Sequence, residues 1–249
     1  MLKIGLIGYG KAGQAVANVL QAEPDLELSW IARRTHQDAL DESGSSSTPV
    51  IGLDQIDLAN WLDKHPVDAL VDFSGPEAVR LYGEEVRQRR LMLVTAISAY
   101  SDADLAYIQS LGEDARVMSS PNITLGINFL ILAARLLREI APHADIAILE
   151  EHFRDKPEVS GTARKIAESL DLQDSNITSL RLGGIVGHHE VVFGFPYQTV
   201  RLSHDSIRRE AFGTGAAFAL RELAARTEPG YFSFEDLLMQ RMHTQWLQA

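Results

Sequence analysis

The chain has 249 residues, of which 45% are hydrophobic and 23% charged, the balance of a packed globular protein and not of a disordered one. Its 23 Lys and Arg stand against 34 Asp and Glu, a formal charge of −11 that leaves no cationic excess to neutralise nucleic-acid phosphates. The absence of cysteine excludes disulfides, thiolate metal sites and cysteine nucleophiles, and the apolar runs fall short of the roughly 18 residues that a membrane span takes.

Met1-Leu2-Lys3-Ile4-Gly5 has the character of a strand and lacks the apolar region and cleavage site of a signal peptide, so a cytoplasmic location is expected. Residues 2–7 form a β-rich run ending at Gly8, and Ala12, Val16, Val19 and Leu20 recur at helical spacing over 10–20. Residues 26–32 are apolar enough for burial on both faces, which a parallel sheet requires, so the chain opens with a βαβ unit. The polar stretch 42–49, with Gly44 and Ser45-Ser46-Ser47, reads as a solvated loop. Then follow an expected helix over 56–64, strand 67–73, helix 76–89, strand 91–96, helix 102–111 and strand 115–119, an alternation that fits an open doubly wound sheet.

After Pro121 the rhythm changes. A long apolar helix is expected over 127–140, a strand over 145–152 and a helix over 160–170. Three strands in succession, 179–185, 190–195 and 199–204, predict a β-meander in a second, mixed sheet and hence a second domain. Helices over 212–225 and 234–242 complete the chain, which has no internal repeat or heptad array.

Gly8-Tyr9-Gly10-Lys11-Ala12-Gly13 is a G-x-G-x-x-G placed straight after a strand and opening a helix, the context of a dinucleotide-binding turn. Gly8 allows the tight turn, Gly10 lets the backbone approach a pyrophosphate, and Gly13 lets the helix pack close to the strand. The free N–H groups and positive dipole end of that helix then face the anion. An NAD site places an acid at the end of the second strand to accept from the ribose 2′-hydroxyl; this chain has Ala32-Arg33-Arg34-Thr35 there. Arg33 and Arg34 suit a 2′-phosphate, so NADPH is favoured, with NADH possible.

The second chemical block is Glu150-Glu151-His152-Phe153-Arg154-Asp155-Lys156, with Ser160-Gly161-Thr162 opening the next helix. Glu150 and His152 share a strand face. A histidine and a lysine close together deliver a proton and hold an anion, and Ser160 and Thr162 are capping types beside N–H groups that grip a carboxylate. By composition alone a polar surface loop with an ordinary helix cap is the favoured reading of this block. His188 and His189 are adjacent, point to opposite faces of a strand and read as ordinary residues, so no metal site is expected. Asp72 ends a strand at the edge where ligands bind in such sheets, or serves a turn.

Taken with Val71-Asp72-Phe73-Ser74-Gly75-Pro76-Glu77, Pro121-Asn122-Ile123-Thr124-Leu125-Gly126-Ile127-Asn128, Gly184-Ile185-Val186-Gly187 and Arg209-Glu210-Ala211-Phe212-Gly213-Thr214-Gly215-Ala216, these blocks resemble the 4-hydroxy-tetrahydrodipicolinate reductase (dihydrodipicolinate reductase) family of lysine and diaminopimelate biosynthesis, in order and through nearly the whole chain. The resemblance implies an α/β fold: an N-terminal Rossmann dinucleotide-binding domain of residues 1–121 with 213–249, plus a mixed α/β substrate and oligomerisation domain, 122–212. It implies hydride transfer from NAD(P)H to a conjugated cyclic imine, with His152 as general acid, Lys156 as its pair, and Ser160, Gly161 and Thr162 on the carboxylate-binding turn. It places Tyr9, Lys11, Ala12, Phe73, Ser74, Thr95, Ala96, Ile97, Ser120, Pro121, Asn122, Ile123, Arg209 and Phe212 with the three glycines and two arginines around the cofactor. A small-molecule substrate and a homo-oligomer, dimer or tetramer, are implied as well.

Four departures accompany the resemblance. Phe153 stands where the family has a second, substrate-contacting histidine, and the loop between Lys156 and Ser160 is one residue shorter. Thr95-Ala96-Ile97-Ser98 replaces a Gly-Thr-Thr-Gly turn, and the region 170–184 is short against the family. A diverged reductase of another imine or keto acid, and a noncatalytic NADPH-binding sensor, therefore remain alternatives from the residues alone.

Overall fold

The structure, a computed structural model, describes residues 1–35 and 48–246; positions 42–47 of the expected polar loop lie outside the described residues. The chain divides into two compact units, Met1–Thr124 with Arg209–Ala249, and Leu125–Arg208.

The first unit begins with strand β1 (Leu2–Ile7), helix α1 (Lys11–Ala22) and β2 (Leu26–Arg33), followed by the short β3 (Val50–Gly52), α2 (Leu58–Lys64) and β4 (Ala69–Asp72). Asp57 caps α2 by accepting from the Asn60 N–H, which is why that helix starts two residues later than the expected 56. A single 3₁₀ turn, Pro76–Ala78, leads into α3 (Val79–Arg89), so the helix expected from 76 is regular only after its proline-led first turn. β5 (Met92–Thr95), α4 (Asp102–Leu111) and β6 (Arg116–Ser119) continue the alternation.

The second unit holds α5 (Leu125–Ile140), β7 (Asp145–His152), α6 (Gly161–Ser169), β8 (Ile177–Arg181), β9 (His188–Phe195) and β10 (Gln198–Asp205). Its sheet runs β10-β9-β7-β8, with β7 antiparallel to β9 and parallel to β8. The expected three-strand meander is thus corrected: only β9 and β10 form a hairpin, while β7, α6 and β8 make a parallel crossover. Residues 153–176 are long enough for such a crossover, and α6 buries Ala163, Ile166 and Ala167 within it. β8 also ends at Arg181, short of the expected 185, because Gly183 turns the chain with φ +49°. Ile146 and Ile148 of β7 and Val191 and Phe193 of β9 fill one sheet face together with Ile127, Leu130 and Ile131 of α5. Strand alternation carries that inward face on to Glu150, His152 and His189, which are buried polar groups at its end.

The chain then rejoins the first unit as α7 (Glu210–Ala224), β11 (Gly230–Phe232) and α8 (Phe234–Trp246). α7 lies on α1: a Cβ on Gly213 would stand 2.5 Å from the Val19 side chain, and one on Gly215 would stand 1.7 Å from the Ile123 carbonyl oxygen. Arg221 ties the far end of α7 to Glu23 and Asp25, both at 2.5 Å. The completed sheet has the order β11-β6-β5-β4-β1-β2-β3 with every neighbouring pair parallel. β4 and β5 are buried at every residue, as two-sided burial demands. β3 and β11, three residues each at opposite edges, are too short to show a period in sequence.

Candidate active site

β1 stands where the strand order reverses, with β2 on one side and β4 on the other, the position at which open α/β sheets bind ligands beyond their carboxyl ends. A cavity of about 670 Å³ opens there, lined by Gly8, Tyr9 and Gly10 from the turn after β1, Arg33 and Arg34 after β2, and Phe73 and Ser74 after β4. Gly8 has φ +96°, and a Cβ on it would lie 2.6 Å from the Phe73 carbonyl carbon and the Ser74 nitrogen. A Cβ on Gly13 would come within 2.0 Å of the Gly8 carbonyl oxygen, so α1 closes on the turn only without a side chain there. Around the Cβ position of Gly10 nothing lies within 4 Å among the described residues, so that glycine leaves room for a ligand. Arg33 lies over the Tyr9 ring, 5.6 Å from its centroid, and its buried Nη1 meets no hydrogen-bond partner among the described residues. An open helix N-terminus and an orphaned guanidinium nitrogen in one cavity suit a dinucleotide phosphate.

Two carboxylates that sequence spacing did not reveal reach the same cavity: Asp54 from the loop after β3, and Glu77, which pairs with Arg34. Below the floor, buried Asp72 accepts from Tyr82 Oη at 2.6 Å and from Ser74 Oγ at 2.5 Å and N at 2.9 Å, so it holds the Phe73-Ser74 turn. Burial raises its carboxyl above the usual range, and these donors work against the rise. Burial and the neighbouring Asp72 likewise raise the Tyr82 and Tyr100 phenols, which stay protonated as donors.

Of the remaining expected cofactor positions, Thr95 ends β5 and Ser120 directly follows β6 on the same sheet edge, joined by the Ser120 N–H donating to the Thr95 carbonyl at 3.1 Å. The Ala96 N–H donates to the Asp72 carbonyl, with Ile97 following at the surface, and Ser120 Oγ donates to the Asn122 carbonyl. Pro121 is exposed and Ile123 buried. Phe212 sits 6.2 Å from the Phe73 ring, while Arg209 is exposed just before α7. Lys11 and Ala12 form the first turn of α1.

The polar cluster of the second unit is built on strand register: Glu150 faces His189 across β7 and β9, and His152 faces Arg181 across β7 and β8. His152 Nδ1 lies 2.5 Å from Glu150 Oε2, and Arg181 forks onto the same carboxylate, Nη1 to Oε2 at 3.0 Å and Nη2 to Oε1 at 2.8 Å. Burial works to raise the Glu150 carboxyl, but the hydrogen bonds from Arg181, from the other side chains and from the Ser160 N–H hold it down at about 2. Ser160 does not cap α6 with its hydroxyl as expected; its Oγ pairs with His189 Nε2 at 2.8 Å. His189 is therefore no ordinary surface residue. Its ring stands edge-on to His152 at 5.3 Å, and burial, with the charge of His152, lowers its pKa to about 4. His188, on the opposite face, pairs with Asp205 at 2.8 Å.

Lys156 follows β7 on a turn whose backbone is pinned: its N–H donates to the Phe153 carbonyl, and its own carbonyl accepts from Arg181 Nε at 3.1 Å. Phe153 is 45% exposed, Gly161 is exposed at the helix start and Thr162 is half-buried. The structure thus brings His152 and Ser160 together and adds Arg181 and His189. The alternation of β9, which puts His189 in phase with Val191 and Phe193, was the signal that would have found His189.

Residues 2–123 match the family model described as dihydrodipicolinate reductase, N-terminus, and residues 123–238 the one described as dihydrodipicolinate reductase, C-terminus. Proteins named 4-hydroxy-tetrahydrodipicolinate reductase from Clostridium perfringens and Methylococcus capsulatus are each 29% identical to it, over 96% of this chain and 98% of theirs. One of the same name from Caldanaerobacter subterraneus is 27% identical over 92% of this chain and 94% of its own. Among solved structures, a dipicolinate-bound dihydrodipicolinate reductase from Paenisporosarcina sp. TG-14 has the same fold, with a TM-score of 0.78 at 23% identity over 94% of this chain and 97% of that one.

Proposed function

The chain belongs to the dihydrodipicolinate reductase family, whose two models together cover residues 2–238, and on that premise we propose that it reduces 4-hydroxy-tetrahydrodipicolinate to tetrahydrodipicolinate, with NADPH preferred over NADH. The observation that carries the reading is the buried Glu150–His152 pair at 2.5 Å, in one block with Lys156 and the start of α6.

The glycine turn, Arg33 and Arg34 hold the dinucleotide, with the orphaned Nη1 of Arg33 and the rim guanidinium of Arg34 directed to a 2′-phosphate. When bound, the nicotinamide supplies the hydride. Loss of water from the hydroxyl-bearing ring leaves a conjugated imine, and its reduction needs one proton besides that hydride. His152 gives this proton as general acid. Lys156 sets a positive charge toward the anionic intermediate, and the N–H groups of Gly161 and Thr162 receive a substrate carboxylate at the N-terminus of α6.

The reading is tested by steady-state turnover and by NADPH titration of His152→Ala and Lys156→Ala. Each is expected to lower kcat by about 10²- to 10⁴-fold while NADPH still binds. Unchanged turnover in both would refute the assigned roles.

A further inference from the structure

The buried cluster contains more than a proton donor. Glu150 is completely buried and surrounded by donors: Oε2 faces His152 Nδ1 and Arg181 Nη1, Oε1 faces Arg181 Nη2 and the Ser160 N–H, the last at 3.3 Å, and the Ser179 side chain donates to the same carboxylate. An ionised carboxylate only accepts, so Nδ1 of His152 has to be the nitrogen that carries hydrogen. The other edge of the ring faces Gly187, where a Cβ would stand 3.1 Å from Nε2 and 3.6 Å from Ser206 Oγ. His189, the buried histidine on the neighbouring strand, keeps a low affinity for protons and adds no positive charge beside His152 at neutral pH. His188 and His204 bear on His189 and lower it further. Arg181 also donates to the carbonyls of Lys156 and Glu158, so one guanidinium joins the carboxylate to the loop that carries Lys156.

We propose that Arg181 and Glu150 are positioning residues that lock the His152 imidazole in the Nδ1–H form and leave Nε2 as the one nitrogen that gives a proton to substrate. The proposal rests on the reading of His152 as general acid. In the step itself, the imidazolium Nε2–H bond breaks and its electron pair stays on Nε2. The substrate anion left by hydride addition takes the proton in a new bond, Nδ1–H stays on Glu150, and water restores the Nε2 proton. Arg181 acts at one remove, by keeping Glu150 ionised and fixed.

The experiment uses the full chain, ¹⁵N-labelled at histidine, with long-range ¹H–¹⁵N spectra recorded without substrate above the pH at which His152 is protonated. Wild type is expected to show His152 as Nδ1–H, and Glu150→Gln to show a substantial Nε2–H population, because a carboxamide donates as well as accepts. In turnover with NADPH, Glu150→Gln is expected to lose about 10²-fold in kcat with KM within about threefold, and in a His152→Ala background to change kcat by less than about twofold. Should Glu150→Gln fail to fold because Arg181 is left unpaired, Glu150→Gln/Arg181→Met removes both charges and is expected to show the same tautomer change and kcat loss. Arg181→Lys, which keeps the charge without the fork, is expected to fall between wild type and that double variant.

An Nε2–H wild type, a Glu150→Gln protein with unchanged tautomer and kcat, or a full additional loss in the His152→Ala background would overturn the proposal. A wild type in the Nδ1–H form, lost in Glu150→Gln, that does not reduce the imine would instead overturn the functional reading and leave the positioning role standing.

Discussion

Acidification from pH 7.5 to 4.5 is expected to loosen the second unit chiefly through one side chain, His189. It is 4% exposed, its Nε2 is engaged by Ser160, and its Nδ1 has no partner among the described residues, so a second proton would put an uncompensated charge in the core. Its pKa falls from 6.5 to about 4 on folding, so the unfolded chain binds the proton more tightly and stability is lost as pH drops between those values. The contribution is complete above pH 6.5 and gone below about 4; at about 1.4 kcal/mol per unit, pH 4.5 removes about 2–3 kcal/mol. Glu150 works in a lower window: held at about 2 against 4.5, it contributes above 4.5 and loses that contribution only as pH falls toward 2. All three tryptophans fall outside the segment Leu125–Arg208, so the second unit carries no tryptophan of its own to report on this transition. Hydrogen exchange of β7 and β9 amides, corrected for intrinsic rates, reads it directly. His204, also lowered by burial, contributes with the same sign, and a His189→Gln variant, which keeps a partner for Ser160, isolates the His189 share. Wild type should lose about 2–3 kcal/mol more opening free energy than the variant between the two pH values. Equal losses would refute the reasoning and mean that the cluster accommodates a charged His189.

Other perturbations probe both units. Glu77→Gln frees Arg34 from its rim ion pair, and because that exposed pair is worth only about 0.2–1 kcal/mol, NADPH affinity by calorimetry should rise about 1.4- to 5-fold with NADH unchanged; an NADPH affinity that stays constant would remove Arg34 from the phosphate site. Gly13→Ala places a methyl 2.0 Å from the Gly8 carbonyl oxygen and should cost about 1–3 kcal/mol in thermal unfolding while weakening dinucleotide binding, whereas a wild-type melt would show that α1 shifts freely. Phe193→Ala empties the core of the second unit and should lower β9 opening free energy by about 3–5 kcal/mol in exchange experiments, with a loss under 1 kcal/mol contradicting its burial.

The first unit was largely legible because its long strands are buried on both sides and its glycine turn sits between a strand and a helix. Gly8 and Gly13 do in the structure what their spacing implied, and Arg33 and Arg34 reach the cavity. The edge strands β3 and β11 were not legible, since three residues carry no period and edge pairing depends on neighbours distant in sequence. The second unit misled because β8 follows α6 and precedes β9 in the chain yet pairs with β7, a choice made by packing and not by local pattern. Glu150 and His152 were placed on one face by alternation, but the parts that hold them were hidden in long-range register: Arg181 lies 31 residues from Glu150, and His189 lies 29 residues from Ser160. Likewise Glu77 joins Arg34 only through the fold. Sequence spacing exposes residues that share an element; it does not expose the second group that fixes their charge.

The most direct measurement is the loss of NADPH absorbance with freshly generated 4-hydroxy-tetrahydrodipicolinate, run beside NADH and a panel of other cyclic imines and keto acids. Rapid multiple turnover with that substrate, faster with NADPH than with NADH and lowered about 10²- to 10⁴-fold in His152→Ala, is the expected result. Tight NADPH binding with no turnover of that substrate, or faster turnover of another imine or keto acid in the panel, would contradict the account.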